Sequence, residues 1–138
     1  MREILFKAKQ KNWREIPEEE WWVYGDVIHE PIGMTIRHTE HGMSVRVPVD
    51  TETLCQYTGM KDKNGKRIWE NDICEMVYDG QVHVYVIVWD EEEFDFKGTN
   101  GKKKYGSNFE YLGCCEEIVR IGNIFDNPEL LGQDGEKM

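Results

Sequence analysis

The sequence has little cysteine and no excess of positive charge, and each shortage argues against a class of protein. No two cysteines form a Cys-x-x-Cys pair, which argues against a zinc ribbon. We expect reduced thiols in a cytoplasmic protein. Lys and Arg number 17 against 27 Asp and Glu, which leaves a net charge of -10. A general binder of the DNA backbone normally carries a basic face instead. The four cysteines are Cys55, Cys74, Cys114 and Cys115.

Motifs for catalysis, metal binding and membrane insertion are also missing. There is no HExxH helix, nucleophile elbow or phosphate-binding glycine loop. A calcium loop beginning at Asp62 fails because Gly65 stands fourth and Ile73 twelfth, where an EF-hand needs Gly sixth and Glu twelfth. His38 and His41 flank a turn signal, not one helix face. Because no signal-peptide core or long apolar run occurs, we expect a cytoplasmic protein with no catalytic residue, metal, cofactor or membrane contact.

Aromatic residues are the feature in which the chain is rich. They make up 12% of its 138 residues and include five Trp and six Tyr. A chain with this aromatic content can bury enough apolar surface to fold, although 32% of its residues are charged. The length favours a single domain over residues 1–138.

The first fifty residues show alternating apolar and polar positions in short runs, a pattern typical of strands. We expect a β-meander over residues 1–50, with Pro48 on an edge strand because proline cannot donate to a sheet. Asp50 is suited to cap a short helical turn. The predicted strands are residues 4–8, 21–28, 34–37 and 43–49.

Residues 54–131, which we expect to form a barrel-like core, combine further strand patterns with strong turn signals. Asn64-Gly65 predicts a two-residue type I′ turn, and Asp79-Gly80 predicts a second hairpin. The run 81–89 is apolar on both faces, which predicts a central strand covered on both sides.

Two segments near the C-terminus are polar or basic. Residues 97–104 read as a basic hairpin tip and residues 132–138 as a disordered tail.

Three segments resemble the YopX family of bacteriophage and prophage proteins. They are residues 2–8, residues 56–73 (Gln-Tyr-Thr-Gly-Met-Lys-Asp-Lys-Asn-Gly-Lys-Arg-Ile-Trp-Glu-Asn-Asp-Ile) and residues 121–131. Asn71 departs from the glycine that is usual in the family, and asparagine is the next best residue for a positive φ. Lys9 replaces a frequent aromatic residue. The resemblance implies a mainly β, SH3-like barrel or roll with short helical turns, and it supplies no catalytic residues.

Within these segments we expect a set of residues that fix turns and strand register. Asp62, for example, is placed to accept hydrogen bonds from the backbone amides of the turn that follows it. The set consists of Thr58, Gly59, Asp62, Asn64, Gly65, Asp72, Gly122, Asn123 and Pro128.

Four function classes remain open from the sequence. The favoured one is a phage-encoded module that binds a host or phage protein, with Trp21, Trp22, Tyr24 and Trp69 as aromatic contacts. The alternatives are nucleic-acid binding through basic loops 61–67 and 97–104, an acidic DNA mimic, and an enzyme. Homo-oligomers formed by strand pairing are also expected to be accessible. The candidate contact residues are Lys61, Lys63, Lys66, Arg67, Trp69, Lys102, Lys103 and Lys104.

Overall fold

The computed structural model describes residues 4–31, 33–99 and 109–131, and these residues are mainly β, as the sequence predicts. The chain divides into two compact units, Met1–Tyr57 and Thr58–Met138. Among the described residues, no helix is long and apolar enough to span a bilayer. The 3₁₀ turns are Trp13–Glu15, Glu18–Glu20, Thr51–Thr53, Leu112–Cys114 and Pro128–Leu131.

The first unit contains an antiparallel sheet in the order β4-β3-β2-β1-β5. Because β1 to β4 are neighbours in chain order, they form the predicted meander. Its small core joins Ala8, Ile36 and Val49. Pro48 lies in β4, at the end of this order, as expected. The strands are β1 Phe6–Lys9, β2 Trp22–Glu30, β3 Gly33–Glu40, β4 Met43–Pro48 and β5 Cys55–Lys61, which continues into the second unit.

The second unit contains a sheet in the order β10-β9-β8-β7-β11, and the end of β5 lies beside β6. Its core cluster consists of Ile68, Cys74, Met76, Tyr85, Ile87, Phe96, Leu112 and Ile118. The strands are β6 Arg67–Trp69, β7 Asp72–Tyr78, β8 Gln81–Asp90, β9 Asp95–Thr99, β10 Phe109–Tyr111 and β11 Glu117–Asn123.

Strand β8 is central, as predicted, but it is not covered on both sides along its whole length. Tyr85 and Ile87 are buried, whereas Val82 is 61% and Val84 39% exposed. The apolar pattern on both sides of the strand predicts two buried faces, but the first half of the strand leaves one face in solvent.

The predicted two-residue turn at Asn64-Gly65 is wrong. Gly65 has a φ of 82°, but Asn64 is not among the residues with a positive φ. The Asp62 amide donates to Lys66 O at 2.8 Å and the Gly65 amide donates to Asp62 O at 3.0 Å, so three residues form the loop and glycine takes the left-handed position. The two-residue turn at Asp79-Gly80 is confirmed, with φ values of 52° and 74°.

The expected barrel is not closed by the described strands, which form open sheets. The SH3-like character stays a prediction, as does the single-domain division. The expected basic hairpin tip is wrong at its start, because β9 extends to Thr99 and Lys97 is a strand residue. Residues 100–104 of that loop and the predicted tail 132–138 lie outside the described residues.

Candidate functional site

The two buried carboxylates of the central stretch, Asp62 and Asp72, both accept hydrogen bonds from Arg120. Asp62 Oδ1 accepts from the amides of Asn64 and Lys66 at 2.9 Å each, the bonds expected from the sequence. Its Oδ2 accepts from the Arg120 amide at 2.9 Å. Asp72 Oδ2 accepts from Arg120 Nε at 3.0 Å and from the amide of Trp69 at 2.7 Å. The pair therefore connects the loop after β5, the start of β7 and β11.

The hydrogen bonds to Asp62 favour its ionised form and not proton transfer. Burial raises the pKa of Asp62, but the amide donors of Arg120, Lys66 and Asn64 outweigh it and hold the pKa below its usual range. A general acid at neutral pH needs the opposite shift. The nearby Cys74 thiol is also a poor nucleophile, because burial strongly raises its pKa.

Three other residues of the predicted set lie within strands, Thr58 and Gly59 in β5 and Asn123 at the end of β11. Thr58 Oγ1 donates to Ile68 O at 2.8 Å and accepts from the Met60 amide. Gly59 has a φ of 89°. Asn123 Oδ1 accepts from the amides of Phe125 and Asp126 at 2.9 Å each.

The turn after β11 is packed closely. A Cβ at Gly122 would meet the side chains of Asn127 and Leu130 at 2.7 Å. Pro128 begins the 3₁₀ turn that follows. These contacts place Gly122 and Pro128 at the turn after β11, and the role of the whole set in fixing strand register stays a prediction.

The first basic loop, residues 61–67, exposes its positive side chains, whereas the nearby candidate contact residue Trp69 is buried. Lys61, Lys63, Lys66 and Arg67 are all exposed, and Lys63 forms an ion pair of 3.4 Å with Glu117. Trp69 is only 4% exposed. Its ring belongs to the interior and offers no contact surface.

The second basic segment does not offer Lys97 for contact. Lys97 is 3% exposed, and its Nζ lies 2.6 Å from Asp90 Oδ2 and also contacts Glu93. The hydrogen bond from Lys97 lowers the pKa of Asp90 and of Glu93, and the bond to Asp90 raises the pKa of Lys97. Tyr111 donates to Glu93 at 2.9 Å. Lys102, Lys103 and Lys104 lie outside the described residues.

The ion pairs of Lys97 also argue against the DNA-mimic hypothesis, because a protein that mimics DNA phosphates needs unpaired negative charge on its surface. Asp90 and Glu93 of the run 90–95 share the single positive charge of Lys97, which offsets one of their two negative charges. The exposed acids Glu18–Glu20 remain, on a 3₁₀ turn of the first unit.

Two of the predicted aromatic contacts, Trp21 and Trp22, lie around Lys9 in the first unit. The sequence predicted no such role for Lys9. Lys9 Nζ lies 3.8 Å from the ring centre of Trp13, 4.2 Å from that of Trp21 and 5.7 Å from that of Trp22. The Lys9 side chain therefore makes cation–π contacts with tryptophan rings, and Lys9 is 1% exposed. Tyr24 is the exposed member, at 49%. This arrangement depends on the pairing of β1 with β2, which sets Lys9 opposite Trp22. The sequence alone does not show that pairing.

A second feature that sequence reasoning missed is an exposed apolar surface on the second unit, which we term the valine face. Residues directly opposite each other in an antiparallel sheet share a face. Val77 pairs with Val82 and with Glu117, while Glu75 pairs with Val84 and with Val119. The core side chains Met76 and Ile118 point the other way. The valine face consists of the exposed Val82 and Val84 and the half-buried Val77 and Val119, with Glu75 and Glu117 between them.

The fold is that of a small antiparallel β protein. Its buried charged groups, Asp62 and Asp72 with Arg120 and Lys97 with Asp90, connect turns and strands. Within the described residues, no group of three His, Cys, Asp or Glu side chains could hold a metal ion. A family model for the YopX protein matches residues 6–132. The chain therefore belongs to the YopX family, which confirms the resemblance seen in the sequence.

Two solved structures are similar to this chain. Protein YopX from Bacillus subtilis is 20% identical, with a TM-score of 0.58, and the match covers 94% of this chain and 98% of that one. Protein EF1440 from Enterococcus faecalis is 19% identical, with a TM-score of 0.50 and coverages of 95% and 99%. At these identities the likeness shows the fold alone. No curated protein matches the chain.

Proposed function

We propose that the chain is a phage or prophage accessory protein that acts in the bacterial cytoplasm as a non-catalytic protein-binding module. Its contact surface is the valine face, and its second unit serves as an SH3-like roll that presents this surface. The supporting observation is the contiguous set of four valines from β7, β8 and β11, of which Val82 and Val84 are the most exposed.

Isolated exposed valines are ordinary on a protein surface, but a cluster spread over three strands is typical of an interaction site. The opposite face of the same sheet already carries the core cluster. The sheet therefore does not need these valines for its own core. Their position on the outer face favours burial against another protein.

Charge defines the chemistry of the partner. Glu75 lies among the valines, as does Glu117, which also pairs with Lys63 at 3.4 Å, and the chain carries a net charge of -10. A partner with an apolar centre and basic residues around it would match this surface, because interfaces combine an apolar core with a polar rim.

The test compares capture of bacterial proteins by three forms of the chain, quantified by mass spectrometry. The wild type and a Met43→Asp control should retain the same partner, since Met43 is 70% exposed but lies in the first unit. The double variant Val82→Asp, Val84→Asp should lose it, because two buried carboxylates would face the apolar partner. If all three forms capture the same proteins equally, or if the wild type captures none, the valine face is not a protein-binding surface.

Nucleic-acid binding is the second candidate, and it rests on the four exposed positive residues of loop 61–67. A gel-shift titration with single-stranded and double-stranded DNA at low salt tests it. Binding that weakens steeply with salt and disappears when the exposed lysines are replaced by Gln would support it. Absence of any shift at micromolar protein would remove it.

A further inference from the structure

We propose that the first unit also binds a small zwitterionic ligand with a basic side chain, such as free arginine or a peptide that ends in arginine. The site is a cavity of about 430 Å³ between β3, the end of β4 and the 3₁₀ turn that follows. This volume is in the range of small-molecule pockets. It is separate from the valine face and does not depend on the function proposed above.

The walls of the cavity are held by backbone hydrogen bonds. The Val49 amide donates to Met34 O at 3.2 Å, and the Lys11 amide donates to Pro48 O at 2.9 Å. Asp50 is held by its own amide, which donates to Lys9 O at 2.9 Å. The apolar lining comes from Met34, Pro48 and Val49. A preformed apolar wall of this kind suits the aliphatic part of a ligand.

Two carboxylates line the cavity in fixed orientations. Glu30 Oε1 accepts from Thr35 Oγ1 at 3.2 Å and from Arg46 at 3.5 Å. Asp50 accepts from Trp13 Nε1 at 3.1 Å and from the Glu52 amide at 3.1 Å. These bonds use only part of the acceptor capacity of each carboxylate. The remaining lone pairs can accept from an ammonium or guanidinium group.

Lys11 supplies the opposite charge in the same cavity. Its side chain is exposed, and within residues 4–31, 33–99 and 109–131 it forms no ion pair with Glu30, Asp50 or any other carboxylate. The cavity therefore presents both signs of charge, and Lys11 is not paired with either carboxylate, although Arg46 forms an ion pair of 3.5 Å with Glu30. A ligand that carries a carboxylate and a basic group would complement both at once.

Titration of the ¹⁵N-labelled full chain with L-arginine tests the site by NMR. We expect saturable shifts of the amides of Met34, Val49 and Thr51, which line the cavity. Agmatine lacks the carboxylate of arginine, so it should bind about tenfold more weakly, as expected for loss of one charged hydrogen bond. Glycyl-arginine distinguishes a peptide terminus from the free amino acid, since a peptide-binding site accepts both and an amino-acid site accepts only arginine.

Charge-removing variants identify the groups that bind. Glu30→Gln should weaken arginine about tenfold, and Lys11→Met should abolish the preference for arginine over agmatine. The matched control Lys63→Met removes an exposed lysine of the second unit and should change neither value. Absence of saturable shifts, or an unchanged preference in Lys11→Met, would overturn the proposal.

Discussion

Asp62 illustrates how a single residue combines a local role with a distant one. Its bonds to Asn64 and Lys66 follow from its position before the loop, and the sequence predicts them. Its bond to the Arg120 amide joins residues 58 positions apart and cannot be read from local spacing. The three donors together explain why the pKa of this carboxyl is lowered although it is buried.

The stability of the chain should therefore depend on pH through Asp62. Because the folded-state pKa lies below the unfolded value of about 3.9, the unfolded chain binds the proton more readily. The carboxylate therefore stabilises the fold above that value, and its contribution disappears as the pH falls through the lowered pKa. We expect Asp62→Asn to lower the free energy of unfolding by about 2 kcal/mol near neutral pH, and by less at about pH 3.

Urea unfolding at both pH values measures this effect. Asp79→Asn is the matched control, because Asp79 is an exposed carboxylate in a turn with a φ of 52°, which Asn also tolerates. Its stability should stay within about 0.5 kcal/mol of the wild type. An equal loss for Asp62→Asn at both pH values would contradict the electrostatic role.

Asn71 shows that one residue can preserve a turn despite a change of type. The resemblance to the family placed a glycine at this position, and we expected asparagine to keep the turn. Asn71 has a φ of 72°, which confirms that expectation. Its amide donates to Ile87 O at 2.7 Å and its carbonyl accepts from Ile124 at 3.0 Å, so the turn connects β8 with the end of β11.

At the scale of elements, β2 and β3 depend on a close backbone approach at Gly25. A Cβ at this position would lie 2.1 Å from the carbonyl oxygen of Arg37. The obstacle is backbone of the neighbouring strand and cannot rotate away. We expect Gly25→Ala to destabilise the first unit by about 3 kcal/mol, measured by urea unfolding.

Gly113→Ala provides the control for this prediction. Gly113 has nothing within 4 Å of its added Cβ and lies outside the positive-φ region. Its effect should remain within about 0.5 kcal/mol. Similar stability of the Gly25 and Gly113 variants would show that β3 can move away from β2.

Turn chemistry predicts some hairpins and fails at one for a physical reason. Asp79-Gly80 adopts the two-residue turn that its residue types favour. Asn64-Gly65 carries an even stronger signal, but the Asp62 carboxylate accepts from two amides of a wider loop. A side-chain acceptor beside the turn thus overrides the preference of the dipeptide.

At the scale of the whole molecule, the net charge of -10 opposes contact between copies through the valine face. This repulsion should vanish near the sequence pI of 4.9, where low net charge promotes association. We expect light scattering to show increased self-association as the pH approaches that value. The double variant Val82→Ser, Val84→Ser should reduce the increase.

Met43→Ser is the control, because it removes an exposed apolar side chain from the first unit. It should associate like the wild type. If both variants behave alike, the valine face does not mediate the association. High salt at neutral pH should also increase self-association, because ions screen the repulsion between negatively charged copies.

The sequence by itself determined the β class, the meander, the central position of β8, the family and most turns. Alternation, glycine positions and side-chain caps act over a few residues, so they can be read without a fold. The tertiary structure alone decided that Lys9 lies among tryptophans, that Lys97 is paired and buried, and that four valines share one exposed face. Each of these depends on which strands are neighbours and in what register, and that pairing joins residues whose separation along the chain carries no local signal.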